Sequence, residues 1–191
     1  MNKTIEYYNS NAKEYFDSTV NADMSAIYDR FLKYLPENAY VLDAGCGSGR
    51  DSMFFLKHGF RVKAIDGSKE MCDLASEYLG DYVENISFNE IEFENEFDAI
   101  WASASLLHVN RRDLPDVINK LKRSLKKNGI LYASFKYGEN DRIRGERYFN
   151  DLNEESVKEY FKDFDIKEIW FNDDVRPGRS EKWINLICIN L

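Results

Sequence analysis

Three glycines at alternate positions, Gly45, Gly47 and Gly49, follow the apolar pair Val41-Leu42 and the acid Asp43. A short strand ending this way feeds a tight turn, because glycine takes positive φ at no steric cost and lets a bulky ligand approach the main chain. The segment beginning near Ser48 is expected to open a helix whose first N–H groups point at that ligand. A nucleotide-like cofactor is the natural occupant. A dinucleotide fingerprint puts its third glycine three residues after the second, beneath a pyrophosphate, and here that position is Arg50. The spacing suits a ligand without a diphosphate. About twenty residues further on, residues 61–65 read as a second strand ending in Asp66, placed to accept hydrogen bonds from a ribose diol. Asp43 and Asp66 thus flank the turn, and carboxylates repel phosphate but welcome a sulfonium or an amino group.

Other chemistry-bearing residues lie further along. Trp101-Ala102-Ser103-Ala104-Ser105 ends a predicted strand in small side chains that let a ligand lie against the backbone, and His108 follows in Leu106-Leu107-His108. An unperturbed imidazole can take a proton near neutral pH; a structural hydrogen bond is the plainer role. Two later segments are rich in arginine: residues 136–149 carry Arg144 and Arg147, and residues 174–179 carry Arg176 and Arg179, with Lys182 and Trp183 just beyond. These four arginines could clamp an anionic group through bidentate hydrogen bonds, or pair with the acids that alternate with them.

The ordered motifs VLDAGCGSGRDS, AIDGS, FDAIWASASLLH and KKNGILYASFK, spread over residues 41–136, resemble those of the class I S-adenosylmethionine-dependent methyltransferases. GCGSGRDS followed by LKHGFRVKAID is similar to the tellurite-resistance and thiopurine-type small-molecule branch. The resemblance implies S-adenosyl-L-methionine as methyl donor and S-adenosyl-L-homocysteine as product. It implies a Rossmann-like α/β fold with a seven-stranded, mostly parallel sheet in the order 3-2-1-4-5-7-6, its last strand antiparallel, and helices on both faces. It also implies a cofactor site built from Asp43, Ala44, Gly45, Cys46, Gly47, Gly49 and Arg50, from Asp66, Gly67 and Ser68, from Phe88 and Asn89 beside the adenine, and from Ala102, Ser103 and Leu107. Tyr8 and Tyr15 belong to a tyrosine-rich opening that in similar enzymes folds over the cofactor as a lid. The Asn/Asp-Pro-Pro-Tyr/Phe motif of amino-methylating DNA enzymes is not in the sequence.

A methyl group on a sulfonium is already electrophilic, so the protein has mainly to align a nucleophile with the S–CH3 bond and exclude water. Such positioning can contribute about 7–11 kcal/mol in favourable cases. A thiolate acceptor needs no base, whereas an oxygen or nitrogen acceptor could enlist His108 or a tyrosine. The expected function is methyl transfer to a small, anionic acceptor. The alternatives are an RNA or modified-nucleotide acceptor, and a non-catalytic S-adenosylmethionine-binding module.

The elements that must position these residues can be read from periodicity. Ile5, Tyr8, Ala12, Tyr15 and Phe16 recur at helical spacing, and so do Met24, Ile27, Tyr28, Phe31, Leu32 and Leu35 before Pro36. Two amphipathic helices are therefore expected over residues 1–36, ahead of a sheet-and-helix core over residues 37–191, the whole forming one domain. Strands are expected at 40–44, 61–65, 83–88, 97–102, 129–136, 166–171 and 183–190, the last two antiparallel to each other. Ser68 is a predicted N-cap, and Leu114, Val117, Leu121 and Leu125 form a helical stripe with Pro115 in its first turn.

With 191 residues, 43% hydrophobic and 15% aromatic, there is ample material for one core. A formal charge of −8 disfavours a broad nucleic-acid surface, whose affinity comes from Lys and Arg neutralising phosphates. No apolar run is long enough to span a bilayer, and the Met-Asn-Lys-Thr start has no apolar signal region, so a cytoplasmic monomer or homodimer is expected. Cys46, Cys72 and Cys188 are odd in number and widely spaced, which fits a reducing compartment and neither a disulfide framework nor a metal site.

Overall fold

Strand β1 (Tyr40–Ala44) lies at the centre of a seven-stranded sheet, and its five residues are buried almost throughout because helices cover both faces. Side-chain alternation splits it: Leu42 and Ala44 enter one apolar cluster, Val41 the other. A computed structural model describes residues 2–176 and 178–191; Met1, and Pro177 in the second arginine segment, lie outside the described residues.

Parallel strands β2 (Arg61–Asp66) and β3 (Val83–Asn85) extend the sheet on one side of β1, and β4 (Phe97–Ala102) and β5 (Leu125–Lys136) on the other. β6 (Asp141–Arg144) and β7 (Arg147–Asn150) form a separate antiparallel hairpin. β8 (Asp165–Asp173) and β9 (Lys182–Ile189) complete the main sheet, in the order β3-β2-β1-β4-β5-β9-β8. β9 is antiparallel to both neighbours. Without the hairpin, this is the expected order with the last strand reversed.

Ahead of the sheet stand α1 (Lys3–Ser10), α2 (Ala12–Thr19) and α3 (Ser25–Leu32). The expected first helix is broken in two at Asn11, whose side-chain amide donates to the Tyr7 carbonyl at 2.8 Å and ends α1. α4 (Arg50–Lys57) starts two residues later than expected, after a left-handed Gly49. α5 (Lys69–Leu79) is capped by Ser68, which accepts from the Met71 N–H at 3.2 Å. α6 (Leu114–Ser124) and α7 (Glu154–Tyr160) cover the other face. Two strand boundaries need correction. β3 stops at Asn85, so Phe88 and Asn89 sit on a 3-10 turn; β5 begins at Leu125, not 129, with an irregular pairing to β4 between Phe97 and Ala99 that accommodates Asn128-Gly129.

One cluster packs Phe31, Phe55, Trp101 and Tyr132 beneath α3 and α4, the other packs Leu121, Phe135 and Phe161 beneath α6 and α7. Fully burying a side chain of this size stabilises by about 1.5–3 kcal/mol. The two layers hold β1 rigid. The strand order reverses beside β1, and that reversal leaves a crevice at the carboxyl ends of the strands.

Candidate active site

The crevice is a cavity of about 780 Å³, within the range that encloses small ligands. On one side lie Gly45, Cys46, Gly47 and Arg50 after β1, Asp66, Gly67 and Ser68 after β2, and Phe88 and Asn89 on the 3-10 turn. On the other lie Ser103, Leu107 and His108 after β4, Ser134 and Lys136 from β5, Arg144 and Arg147 from the hairpin, and Arg176 and Arg179 before β9. α1 and α2 cover the mouth with Tyr8 and Tyr15, and Ser68 Oγ bonds to Asn9 Oδ1 at 2.7 Å, tying α1 to the cap of α5.

The three glycines do different work. A Cβ on Gly45 would collide with Ser105 and one on Gly49 with Leu79, so those two allow backbone and side chains to pack. Gly47, at φ +52, faces the cavity: a Cβ there would meet only Tyr15, at 3.7 Å. Its N–H is held by Asp66 Oδ2 at 2.9 Å, while Asp66 Oδ1 accepts the Ser68 N–H at 2.8 Å. Each carboxylate oxygen keeps a free lone pair, and burial pushes the Asp66 carboxyl above its usual range, against the hold of those N–H groups. An open glycine cradle beside a half-buried carboxylate fits a ribose-bearing, cationic ligand.

Four expected cofactor contacts do not reach the cavity. Asp43 shares the face of β1 that carries Val41, so it points under the turn, where Ser52 Oγ donates to it at 2.6 Å and burial pushes it up to about 8. Ala44 and Ala102 are fully buried in the opposite layer, and Gly49 is packed against α5. Sequence reasoning also passed over Asp51. This buried acid accepts from Arg50 Nε at 2.6 Å, Trp101 Nε1 at 2.7 Å and the Tyr28 hydroxyl, and so fixes Arg50 at the cavity wall.

Comparison with known proteins accords with this geometry. A family described as "Methyltransferase domain" matches residues 41–129. An uncharacterized methyltransferase of Staphylococcus carnosus is 30% identical over 96% of this chain and 98% of its own length. The chain belongs to the class I S-adenosylmethionine-dependent methyltransferases. Among solved structures, a 1,6-didemethyltoxoflavin-N1-methyltransferase of Burkholderia thailandensis superposes with a TM-score of 0.79 at 22% identity, covering 98% of this chain and 87% of that one. It was solved with 1,6-didemethyltoxoflavin and S-adenosylhomocysteine bound. TehB of Haemophilus influenzae gives 0.73 at 20% identity, over 99% of this chain and 67% of that one. At these identities the structural likeness speaks for the fold. No helix among the described residues of this methyltransferase is long and apolar enough to cross a membrane.

The methyltransferase's arginines divide by what already holds them. Arg176 is forked onto Asp174 at 2.9 and 2.6 Å, and Arg144 pairs with Glu181 at 2.9 Å. Glu181 is shared with Arg142 at 3.2 Å and with Lys136 at 3.0 Å. Burial lowers the Lys136 ammonium below its ordinary range. Arg147 and the exposed Arg179 have no carboxylate partner among the described residues, but Arg147 is packed into the wall: its guanidinium stacks 4.5 Å from the Tyr7 ring and its Nε is buried without a hydrogen-bond partner.

His108 joins three elements. Its Nδ1 lies 2.7 Å from the Tyr148 carbonyl on β7, and its Nε2 2.8 Å from the Tyr8 hydroxyl on α1. Burial lowers its pKa to about 4, against 6.5 for a free imidazole. Between those values the unfolded chain binds more protons than the folded one, so this residue's contribution to stability is complete above about 6.5 and is lost as pH falls to about 4. Asp43, raised to about 8, contributes the opposite slope. The expected result is that Tm measured against pH rises less steeply from 4 to 6.5 in His108→Asn than in the wild type; parallel profiles would refute the assignment.

Proposed function

We propose that this methyltransferase transfers a methyl group from S-adenosylmethionine to a small anionic acceptor, with donor and acceptor lying at opposite ends of the one cavity. Asp66 takes the ribose hydroxyls, Phe88 and Asn89 flank the adenine, and the Gly47 backbone lies against the sulfonium half beneath Tyr15. Bound there, S-adenosylmethionine supplies an electrophilic methyl group. The chain's own part is to orient both molecules, bring the nucleophile in line with the S–CH3 bond and keep water out.

Arg147 is the observation that carries the anionic assignment. Its guanidinium lines the cavity without a carboxylate partner among the described residues, and a ligand carboxylate or phosphate there would supply the missing counter-charge. The neighbourhood favours the same charge: from β5, the hairpin and the segment before β9, Lys136, Arg144, Arg147, Arg176 and Arg179 line the cavity beside Glu146, Asp174 and Glu181, so cations outnumber carboxylates there. A cavity of about 780 Å³ roofed by α1 and α2 and the acidic chain, at −8 overall, favour a small molecule over RNA.

The test is S-adenosylhomocysteine formation from labelled donor with small carboxylates and phosphates, each beside its neutral ester. Anionic members are expected to turn over and the esters to fail. With an active acceptor, Arg147→Ala should lower kcat/KM by about 1.5–3 kcal/mol, the scale of a hydrogen bond to a charged group, or about ten- to more than a hundredfold. Affinity for S-adenosylhomocysteine should stay within a factor of about two of wild type, since no donor contact is lost. Equal turnover of acids and esters, unaffected by Arg147→Ala, would remove the anionic reading and leave methyl transfer in place.

A further inference from the structure

Tyr8 is oriented by a chain of hydrogen bonds whose direction can be worked out atom by atom. A backbone carbonyl only accepts, so the 2.7 Å contact with Tyr148 places a hydrogen on His108 Nδ1. A neutral imidazole has one N–H, which leaves Nε2 as a bare lone pair. The Tyr8 hydroxyl, 2.8 Å away, must therefore donate to it. The chain is braced from outside: the Tyr148 N–H donates to Thr4 Oγ1 at 3.0 Å, and the His108 ring packs 4.8 Å from Phe149. Tyr8 lines the cavity with its hydroxyl hydrogen turned away toward His108, so its oxygen offers the cavity lone pairs only. Arg147 stands beside that ring, 5.8 Å from its centroid, where its guanidinium favours negative charge on the Tyr8 oxygen.

We propose that Tyr8 accepts the hydrogen of the methyl acceptor's reacting atom and passes its own to His108, so that the acceptor is a hydroxyl or N–H compound and not a thiol. A thiolate has no hydrogen to offer and would meet a lone pair. In the step, the acceptor's X–H bond breaks as its proton goes to Tyr8 Oη, and the Tyr8 proton moves to His108 Nε2. The pair left on X forms the X–CH3 bond, the pair of the breaking CH3–S bond returns to sulfur, and the sulfonium becomes a neutral thioether. The positive charge ends on the imidazole, which releases it to solvent when product leaves. Burial keeps His108 unprotonated at neutral pH, so its Nε2 lone pair is free, and makes the imidazolium give its proton up readily when product leaves.

This inference rests on the reading of the cavity as the methyl-transfer site, and its test separates the two. The chain has two histidines, so long-range proton–nitrogen NMR of the 15N-histidine protein with S-adenosylhomocysteine resolves both, and the signal lost in His108→Asn is His108. The expected spectrum shows protonated Nδ1 and bare Nε2 at neutral pH, with the Nε2 resonance displaced in Tyr8→Phe. An Nε2–H tautomer overturns the proposal, because it would turn the Tyr8 hydrogen into the cavity. The second arm compares 4-hydroxybenzoate, 4-aminobenzoate and 4-mercaptobenzoate as acceptors, which share one anion and differ in the nucleophile. The hydroxyl or amino member is expected to react, and Tyr8→Phe to slow it about a hundredfold, the lower end for general acid–base catalysis, with any thiol rate unchanged. A thiol member reacting fastest, a Tyr8→Phe loss equal for all three, or no reaction with any of them overturns the proposal. S-adenosylhomocysteine binding that persists through those outcomes leaves the methyltransferase reading standing.

Discussion

Gly47→Val is expected to abolish binding of S-adenosylhomocysteine while the protein stays folded. Gly47 is the one residue of the glycine turn whose missing side chain opens onto the cavity, with Tyr15 as the nearest obstacle at 3.7 Å. A valine there projects two methyl groups into the ligand's volume. At φ +52 it also carries left-handed strain of about 1–2 kcal/mol, a small part of the roughly 5–15 kcal/mol that holds a domain together. The same change at Gly45 or Gly49 would drive a side chain into Ser105 or Leu79 and test folding instead. Circular dichroism establishes that Gly47→Val is folded, and calorimetry measures its affinity. Unchanged affinity in the folded variant would show that the ligand lies elsewhere.

Asp66→Ala should weaken S-adenosylmethionine by about 1.5–3 kcal/mol for the lost charged hydrogen bonds to the ribose, or about ten- to more than a hundredfold. The structure adds a second reason. Asp66 also holds the Gly47 and Ser68 N–H groups, at 2.9 and 2.8 Å, so its removal loosens the cradle as well as a contact. Asp66→Asn keeps an acceptor oxygen and should recover part of the loss. If S-adenosylmethionine binds Asp66→Ala within a factor of about two of wild type, the residue only caps the turn.

Local chemistry was readable in the sequence where one segment contains its own partners. The glycine turn, Asp66 at the end of its strand and the Ser68 cap depend on neighbours a few residues away, and all three stand where their spacing put them. Asp43 was misplaced because strand alternation puts Val41 and Asp43 on one face without saying which, and the packing of α3 and α4 decides it. His108 could be nominated but not interpreted, since one partner, Tyr8, lies a hundred residues away in the chain. The hairpin was missed for want of apolar content, although Gly145-Glu146 between Arg144 and Arg147 is a two-residue turn with glycine at its first position, φ +62. The four arginines looked alike in the sequence; in space Arg144 and Arg176 have carboxylate partners, Arg179 is exposed, and Arg147 alone of the four is packed into the wall without one.

The proposed function divides the cavity into donor and acceptor ends at the plane between the glycine turn and the Tyr8–Arg147 wall. A crystal structure of the protein grown with S-adenosylhomocysteine tests that division directly. The ribose hydroxyls are expected on the Asp66 carboxylate, the adenine beside Phe88 and Asn89, and the sulfur turned toward Tyr8 and Arg147. A ligand whose ribose lies away from Asp66, or whose sulfur faces away from Arg147, would contradict the account.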